Sequence, residues 1–155
     1  MKLIFKQRFF SLRDSYEIYD EDGNTIFAVK SLFAVGRKFQ IYDALGYAVG
    51  MVKQKLLSFL PTFELYLGDR QVGTIRKDFT LFSPNFRIDC NGWKIEGAWH
   101  EWDYRIYNGY GSLIATVSQE LAWTDTYFID VVNDADVVTA LMVVIAIDAE
   151  KANRN

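Results

Sequence analysis

The sequence predicts a mainly β protein, a closed antiparallel barrel of twelve strands around a buried hydrophobic C-terminal α-helix. Three observations predict it: six similar units follow one another, glycine marks a turn in most of them, and the chain ends in an apolar run. The first two indicate the hairpins of one antiparallel sheet. The third indicates a helix that this sheet encloses. All 155 residues are expected to form a single domain, residues 1–155.

Each unit opens with an aromatic residue, a mostly polar residue and then Ile or Leu, as in YEIYDEDGNTIFAVK. This alternation is typical of a strand with one buried face. A glycine five to seven residues later predicts a hairpin turn, because such turns need positive φ. A second strand is expected after the turn in the first five units. The opening aromatic residues are Tyr16, Phe39, Phe63, Phe86, Tyr104 and Tyr127, at spacings of 23, 24, 23, 18 and 23 residues.

The strand count follows from these units. Five hairpins supply ten strands, the N-terminal KLIFKQRF supplies one and the last unit supplies one, all within residues 2–132. An open sheet of so many strands twists strongly and exposes its edges, which favours closure into a barrel. A barrel of twelve strands is too wide for its own side chains to fill. An apolar segment is therefore expected in its interior.

The C-terminal segment fits that interior. No Gly or Pro occurs between Asp134 and Lys151, and the part from Val137 to Ile147 contains nothing more polar than Thr139. As a helix, this apolar part spans about 16 Å, well short of the hydrocarbon core of about 30 Å, so it is not expected to cross a membrane. A helix that is apolar on all sides is surrounded by protein. The sequence predicts a helix over about residues 134–151 inside the barrel.

Three stretches carry a resemblance to a known family: SLRDSYEIYDEDG (11–23), VKQKLLSFLPTFELY (52–66) and TYFIDVVNDADVVTALMVVIAIDA (126–149). Over nearly its whole length the chain resembles the LURP-one-related family, in particular its small bacterial members. The resemblance implies a tubby-like fold, a twelve-stranded barrel around a hydrophobic helix that is shared with tubby C-terminal domains and phospholipid scramblases. It implies no catalytic residues, and phosphoinositide binding is not carried over because a fold alone does not transfer function.

The sequence contains no recognisable catalytic or metal-binding motif. Its one histidine, His100, and its one cysteine, Cys90, are too few for a zinc site. There is no P-loop, dinucleotide fingerprint or nucleophile elbow. A calcium loop that starts at Asp20 would need glycine at its sixth position and glutamate at its twelfth, but these positions hold Thr25 and Ser31, so a hairpin turn is expected at DEDGN. We therefore expect a non-enzymatic protein without cofactor or metal.

Charge and targeting signals narrow the class of partner. The net charge of −3 argues against a general nucleic-acid binder. The N-terminus has no hydrophobic region of a secretory signal, which predicts a cytoplasmic location. Residues 1–78 carry 12 Lys and Arg against 9 Asp and Glu, whereas residues 79–155 carry 5 against 11. Such asymmetry can polarise a surface, and solvated charges without function are the competing interpretation.

A basic rim beside an apolar loop is the candidate binding surface. Cations end the second strands of three successive hairpins at spacings of 23 residues, so the hairpins would bring them to one rim. The loop LLSFLP (56–61) lies next to them, and the combination fits an anionic lipid surface or an acidic protein. The basic residues are Lys30, Lys53, Lys55, Arg76 and Lys77, and the apolar residues are Leu56, Leu57, Phe59 and Leu60.

Two alternatives stand beside this candidate. Strand-end lysines can simply protect sheet edges, and LLSFLP can pack over the barrel mouth to cover the helix. The expected function is that of a binding or scaffold protein. If it binds a membrane, we expect it to dock reversibly on the surface as a peripheral protein. The alternative function is that of a carrier or sensor of an apolar small molecule or lipid chain in the barrel, with Tyr19, Tyr42, Tyr66 and Tyr107 lining an entrance.

Overall fold

A computed structural model describes residues 1–5, 15–32, 35–78, 85–120 and 126–152. In these ranges the chain forms twelve strands and one α-helix, as predicted. Two short 3-10 turns, Trp99–Glu101 and Asp134–Asp136, follow β9 and β12. The elements are β1 Lys2–Phe5, β2 Tyr16–Tyr19, β3 Thr25–Leu32, β4 Lys38–Asp43, β5 Ala48–Gln54, β6 Thr62–Leu67, β7 Arg70–Asp78, β8 Asn85–Asp89, β9 Lys94–Ala98, β10 Asp103–Tyr107, β11 Leu113–Gln119, β12 Tyr127–Val131 and α1 Val137–Ala152.

The twelve strands form one antiparallel sheet in the order β8-β7-β6-β5-β4-β3-β2-β1-β12-β11-β10-β9. The N-terminal strand β1 joins the two halves of the sheet, because it pairs with β2 on one side and with β12 on the other. In the β1–β12 pair Leu3 lies opposite Ile129, and both side chains are buried. The predicted fold class, a twelve-stranded barrel around a C-terminal helix, is confirmed.

The barrel is nearly closed, and one predicted hairpin is wrong. The fourth unit forms β8, a turn and β9, but these two strands stand at the ends of the sheet order and are not hydrogen-bonded to each other in a ladder. Each pairs elsewhere, β8 with β7 and β9 with β10. Across this seam the rings of Phe86 and Trp99 meet edge to face at 4.8 Å. An aromatic contact therefore bridges part of the seam, where a backbone ladder is absent.

Helix α1 fills the barrel. Its large aliphatic side chains from Leu141 to Ile147 are at most 1% exposed, and they meet an inner wall of alternate strand residues such as Ile41 and Leu65. The Asn133 side chain accepts a hydrogen bond from the Ala135 N–H and so caps the start of this segment. The α-helix itself begins three residues later than expected, because Asp134–Asp136 form a 3-10 turn. Burial on all sides explains why α1 lacks a polar face.

The direction of α1 defines the two ends of the barrel. The helix follows β12 and runs back along it, so its C-terminal end lies where β3 and β7 end and β4 and β10 begin. Contacts of that end confirm this: Arg37 Nη1 donates to the Ala149 carbonyl at 2.6 Å, and Lys77 Nζ lies 3.7 Å from Glu150 Oε1. We call this end of the barrel the upper end.

Candidate functional site: a basic stripe and an apolar tip

The predicted cations on the outer wall climb diagonally across β3 to β7, which differs from the single rim that was expected. Lys30 lies opposite Gln40, whereas Lys53 lies opposite Lys38, two residues nearer the upper end. Arg76 pairs with Thr62, again two residues nearer that end than the row of Lys53 and Glu64. Equivalent positions of successive hairpins are shifted because the strands of a barrel are staggered. We call Lys30, Lys38, Lys53, Lys55 and Arg76 the basic stripe.

Lys38 is a member of the stripe that sequence reasoning missed. It opens β4 directly opposite Lys53 in β5, on the same outer face. Two like charges at opposed positions disfavour the sheet unless an anion lies between or above them. The pair is visible only in the register of the two strands. A repeat spacing of 23 residues contains no information about it.

The positive charge of the stripe is concentrated close to the upper end, at Lys38, Lys53 and Lys55. Arg76 Nε binds Asp78 Oδ1 at 2.9 Å, and Lys30 Nζ lies 5.1 Å from the centroid of the Tyr42 ring. Across the described ranges, no ion pair within 4.0 Å involves Lys38, Lys53 or Lys55. Glu64 lies opposite Lys53 on the other side, but one of its oxygens accepts the Tyr66 hydroxyl at 3.0 Å.

Lys77 does not belong to this surface, and its placement on the rim was wrong. The strand β7 alternates, so Arg76 points outward while Lys77 follows Ile75 into the barrel. Lys77 is 0% exposed, its ammonium lies 3.7 Å from the Glu150 carboxylate, and it lies 5.2 Å from the centre of the Trp99 ring. Ile75 and Lys77 are two residues apart on one strand and therefore share a face, which is the signal in the sequence that could have revealed this.

The loop LLSFLP projects into solvent. Leu57 and Phe59 are fully exposed, and Leu56 is 44% exposed. The interpretation that this loop packs over the barrel mouth is therefore wrong for these side chains, and the helix is covered without them. Leu60 is partly buried at the base of the loop.

The loop is tied to the barrel by hydrogen bonds. The Lys55 N–H donates to the Thr62 carbonyl at 2.8 Å, and the Lys77 N–H donates to the Pro61 carbonyl at 2.9 Å. Inside the loop, the hydroxyl of Thr62 donates to the Leu60 carbonyl and also lies 3.0 Å from the Ser58 hydroxyl. The loop therefore has a defined shape although its apolar side chains face water.

The turn before β4 joins this loop. Arg37 and Gln54 exchange hydrogen bonds, from the Gln54 N–H to the Arg37 carbonyl at 2.7 Å and from the Arg37 N–H to Gln54 Oε1 at 3.1 Å. Gly36, at φ +86°, leaves room for Leu56, whose Cδ2 would lie 2.8 Å from any Cβ at that position. Its neighbour Val35 is 81% exposed. We call Val35, Leu56, Leu57 and Phe59 the apolar tip.

A buried polar cluster lies at the C-terminal end of α1, below the tip. Burial raises the pKa of Asp148 well above its usual range, and the nearby Lys151 and Arg37 oppose that shift. Burial and, secondarily, the Asp148 charge raise the pKa values of Tyr16 and Tyr104. Perturbed groups of this kind occur both in functional sites and in structural networks. Asp148 and Tyr104 are buried beside the end of α1, so the cluster contributes to how the helix is held.

Asp148 makes stability depend on pH. Its pKa is raised in the folded protein from 3.8, so the folded state favours its neutral form, and stability decreases as pH rises from about 4 through the raised value. We expect Asp148→Asn to unfold at higher denaturant concentration than wild type at pH 7, by about 1–2 kcal/mol, with a smaller difference near pH 4. The exposed Asp130→Asn serves as the control and should change little at either pH. A destabilised Asp148→Asn at pH 7 would contradict this expectation.

The predicted entrance to the interior was wrong. Tyr19, Tyr42, Tyr66 and Tyr107 belong to the outward face of their strands, and Tyr19 and Tyr66 donate hydrogen bonds to the outer carboxylates of Glu17 and Glu64. The outer surface formed by the described residues includes open grooves. One, of about 350 Å³, includes Lys30 and Tyr42, and another, of about 500 Å³, lies between the turns at Gly92 and Gly109. A ligand inside the barrel stays a prediction that no described contact supports.

The other candidates from the sequence are structural or exposed. Asp20 Oδ1 accepts the N–H groups of Asp22 and Asn24, which confirms the hairpin turn expected there. His100 is exposed and lies 3.8 Å from Glu101. In the described part of the chain, no three His, Cys, Asp or Glu side chains are grouped as metal ligands would be.

The length and hydropathy of the helices were compared with those of a membrane span. Among the described residues, no helix is both long enough and apolar enough to cross a bilayer.

Comparisons with known proteins agree with this architecture. The model of a family described as LURP-one-related matches residues 1–148. The uncharacterized protein YxjI of Bacillus subtilis (strain 168) is 29% identical over 149 residues, which are 96% of this chain and 92% of that protein. An X-ray structure of an Arabidopsis thaliana protein superposes with a TM-score of 0.66 at 17% identity, covering 96% of this chain and 91% of that one. The similarity to this structure concerns the fold alone.

Proposed function

The chain belongs to the LURP-one-related family, and from this premise we propose that it is a non-enzymatic binding protein that docks reversibly on an anionic lipid surface through the basic stripe. The observation that carries the proposal is the cross-strand pair Lys38–Lys53, flanked by Lys55. Three ammonium groups without an ion pair in the described ranges lie on one outer wall, close to the upper end. Such a surface attracts phosphate-bearing head groups.

The non-enzymatic part of the proposal is supported by where the ionisable groups lie. Of the residues whose pKa is strongly raised, Asp148 and Tyr104 are buried beside the end of α1, and the Tyr16 hydroxyl is buried although its side chain is partly exposed. On the outer wall, the stripe contains cations and amphipathic side chains but no nucleophile beside a general base. Binding is the activity that such an arrangement supports.

The strength of the contact sets its reversibility. A lysine or arginine near an anionic leaflet contributes about 1 kcal/mol, so five stripe residues together supply a few kcal/mol. Salt screens these charges over about 10 Å at moderate ionic strength, which makes the binding sensitive to salt. We therefore expect a docked and a free population in exchange.

Charge reversal in the stripe tests the proposal. We expect Lys53→Glu with Arg76→Glu to lower binding to vesicles of phosphatidylcholine and phosphatidylserine by at least about tenfold at low salt, because four units of charge change on one wall. The measurement is flotation with these vesicles, repeated over a series of salt concentrations. Both residues lie on the outer face, so folding should be preserved, as circular dichroism would verify.

The matched control carries the same change of charge on the far wall. Lys94→Glu with Arg105→Glu lies on the outward face of β9 and β10 and should bind nearly as well as wild type. Equal loss in both double variants would mean that net charge, and not the stripe, governs binding. Absence of vesicle binding by wild type at low salt, together with stripe-dependent binding of an acidic protein, would replace the lipid by that partner.

A further inference from the structure

We infer that the apolar tip inserts below the phosphate level of the anionic membrane, so that the protein docks upper end first with the wall β3–β7 tilted towards the bilayer. The inference rests on the proposed function, which supplies the anionic membrane as the binding partner. It adds a second, hydrophobic contact that the stripe does not supply. It also assigns an orientation to the docked barrel.

Exposure of the tip is the first observation. Leu57 and Phe59 are fully exposed and Val35 is 81% exposed, whereas apart from the tip none of the large apolar side chains that the structure describes at this end of the barrel is exposed. A group of exposed apolar side chains rimmed by polar residues marks an interaction surface. Transfer of one Leu or Phe side chain out of water contributes about 1.5–3 kcal/mol, so these residues have a large free energy to gain from a partner.

The tip is preformed, which is the second observation. Its two segments are held together by the paired hydrogen bonds of Arg37 and Gln54 and by the contact of Leu56 with Gly36. They are also held to α1, because Arg37 Nη1 donates to the Ala149 carbonyl. Lys77 connects the same elements, with its N–H on the Pro61 carbonyl and its ammonium beside Glu150. A surface that is rigid before binding loses less entropy when it binds.

The arrangement of charge around the tip identifies its partner. Lys55 directly precedes Leu56, and Lys53 and Lys38 follow one row below on the outer wall. In an anionic leaflet the phosphates lie at the surface and the acyl chains lie below them. Apolar side chains at the tip would reach the acyl chains, while the lysines just behind them would contact the phosphates. A second copy of the chain would place lysine against lysine if the two tips met. The charge pattern therefore favours lipid over self-association.

Orientation follows from the position of the stripe. The stripe descends from Lys55 and Arg76 at the upper end to Lys30 farther down, on one side of the barrel. The tip and the stripe can contact the same membrane surface only if the barrel is tilted so that the wall β3–β7 faces the bilayer. Tyr110, 96% exposed in the turn between β10 and β11, then lies at the opposite end, in solvent.

A site-specific fluorophore tests insertion. An environment-sensitive nitrobenzoxadiazole label is attached at Phe59→Cys, in a Cys90→Ser background because Cys90 is the single native cysteine and is buried. With vesicles of phosphatidylcholine and phosphatidylserine, we expect a blue shift and quenching by nitroxides on the acyl chains. The same label at Tyr110→Cys should show neither. Retained near-wild-type stability of the labelled proteins is verified by thermal unfolding.

A pair of double variants provides the matched comparison. Leu57→Ser with Phe59→Ser should weaken vesicle binding by at least about tenfold, because two apolar side chains no longer enter the bilayer. Leu45→Ser with Tyr110→Ser removes two exposed apolar side chains at the lower end and should leave binding unchanged.

The outcomes separate this inference from the proposed function. Salt-sensitive binding without a blue shift at position 59 overturns insertion and leaves electrostatic docking in place. Loss of binding in the tip variant, with no effect of stripe charge reversal, supports insertion and overturns docking through the stripe. Equal shifts at positions 59 and 110 overturn the orientation. No vesicle binding by wild type, or capture of an acidic protein through the tip instead, overturns both.

Discussion

A chain that ends at Asn133 is expected to be insoluble or molten, because the barrel does not stay closed without α1. The six large apolar residues of α1 from Leu141 to Ile147 are at most 1% exposed. At about 1.5–3 kcal/mol each, their burial contributes on the order of 10 kcal/mol, as much as the entire stability of a typical domain. Expression of the truncated chain, with near-UV circular dichroism and dye binding, measures the result.

Single substitutions in the full chain distinguish the packing of α1 from an effect of shortening the chain. Leu141→Ala in the full chain should cost about 2–5 kcal/mol in chemical denaturation, since it leaves a cavity inside the barrel. Val132→Ala, on an exposed residue just before the helix, should cost less than about 0.5 kcal/mol. A soluble product ending at Asn133 that unfolds cooperatively would show that the strands close by themselves.

Glu150→Ala is expected to destabilise the protein by about 3–5 kcal/mol, the range found when one partner of a buried ion pair is removed. Glu150 is 5% exposed and Lys77 is 0% exposed, so the substitution removes the carboxylate 3.7 Å from an enclosed ammonium group. The loss should be measured as a shift of the urea midpoint with an unchanged denaturant slope.

Two comparisons make this result specific. Asp78→Ala breaks the neighbouring Arg76–Asp78 pair, whose side chains are 41% and 31% exposed, and should cost at most about 1 kcal/mol. Replacing both partners, Lys77→Met with Glu150→Leu, should recover most of the stability, because neither charge of this pair is then left without the other. A loss below about 1 kcal/mol for Glu150→Ala would mean that the Lys77 ammonium does not depend on Glu150.

The buried pair also connects stability with docking. Lys77 contacts α1 through its side chain and the loop of the apolar tip through its backbone N–H. Arg37 does the same from the turn that carries Val35. The tip is therefore fastened to the element that holds the barrel together. Its rigidity has a structural cause that lies outside the tip itself.

Several features of the candidate site could be read from the residues. The apolar loop and the cations at positions 30, 53, 55 and 76 stand out by composition and repeat spacing alone. The orientation of Lys77 could also have been read, since it shares its parity with the buried Ile75. The pairing of Lys38 with Lys53 could not, because hydrogen-bond register depends on two strands at once and the bulge between Ile41 and Tyr42 shifts it.

The sequence by itself determined the strands, the turns and the enclosed helix, because these follow from local alternation, from turn residues and from the length of one apolar run. The tertiary structure alone decided the stagger that turns a rim into a diagonal stripe, the unpaired seam between β8 and β9, and the projection of Leu57 and Phe59 into solvent. Each of these depends on contacts between segments distant in the chain. The periodicity of residues within one segment does not predict such contacts.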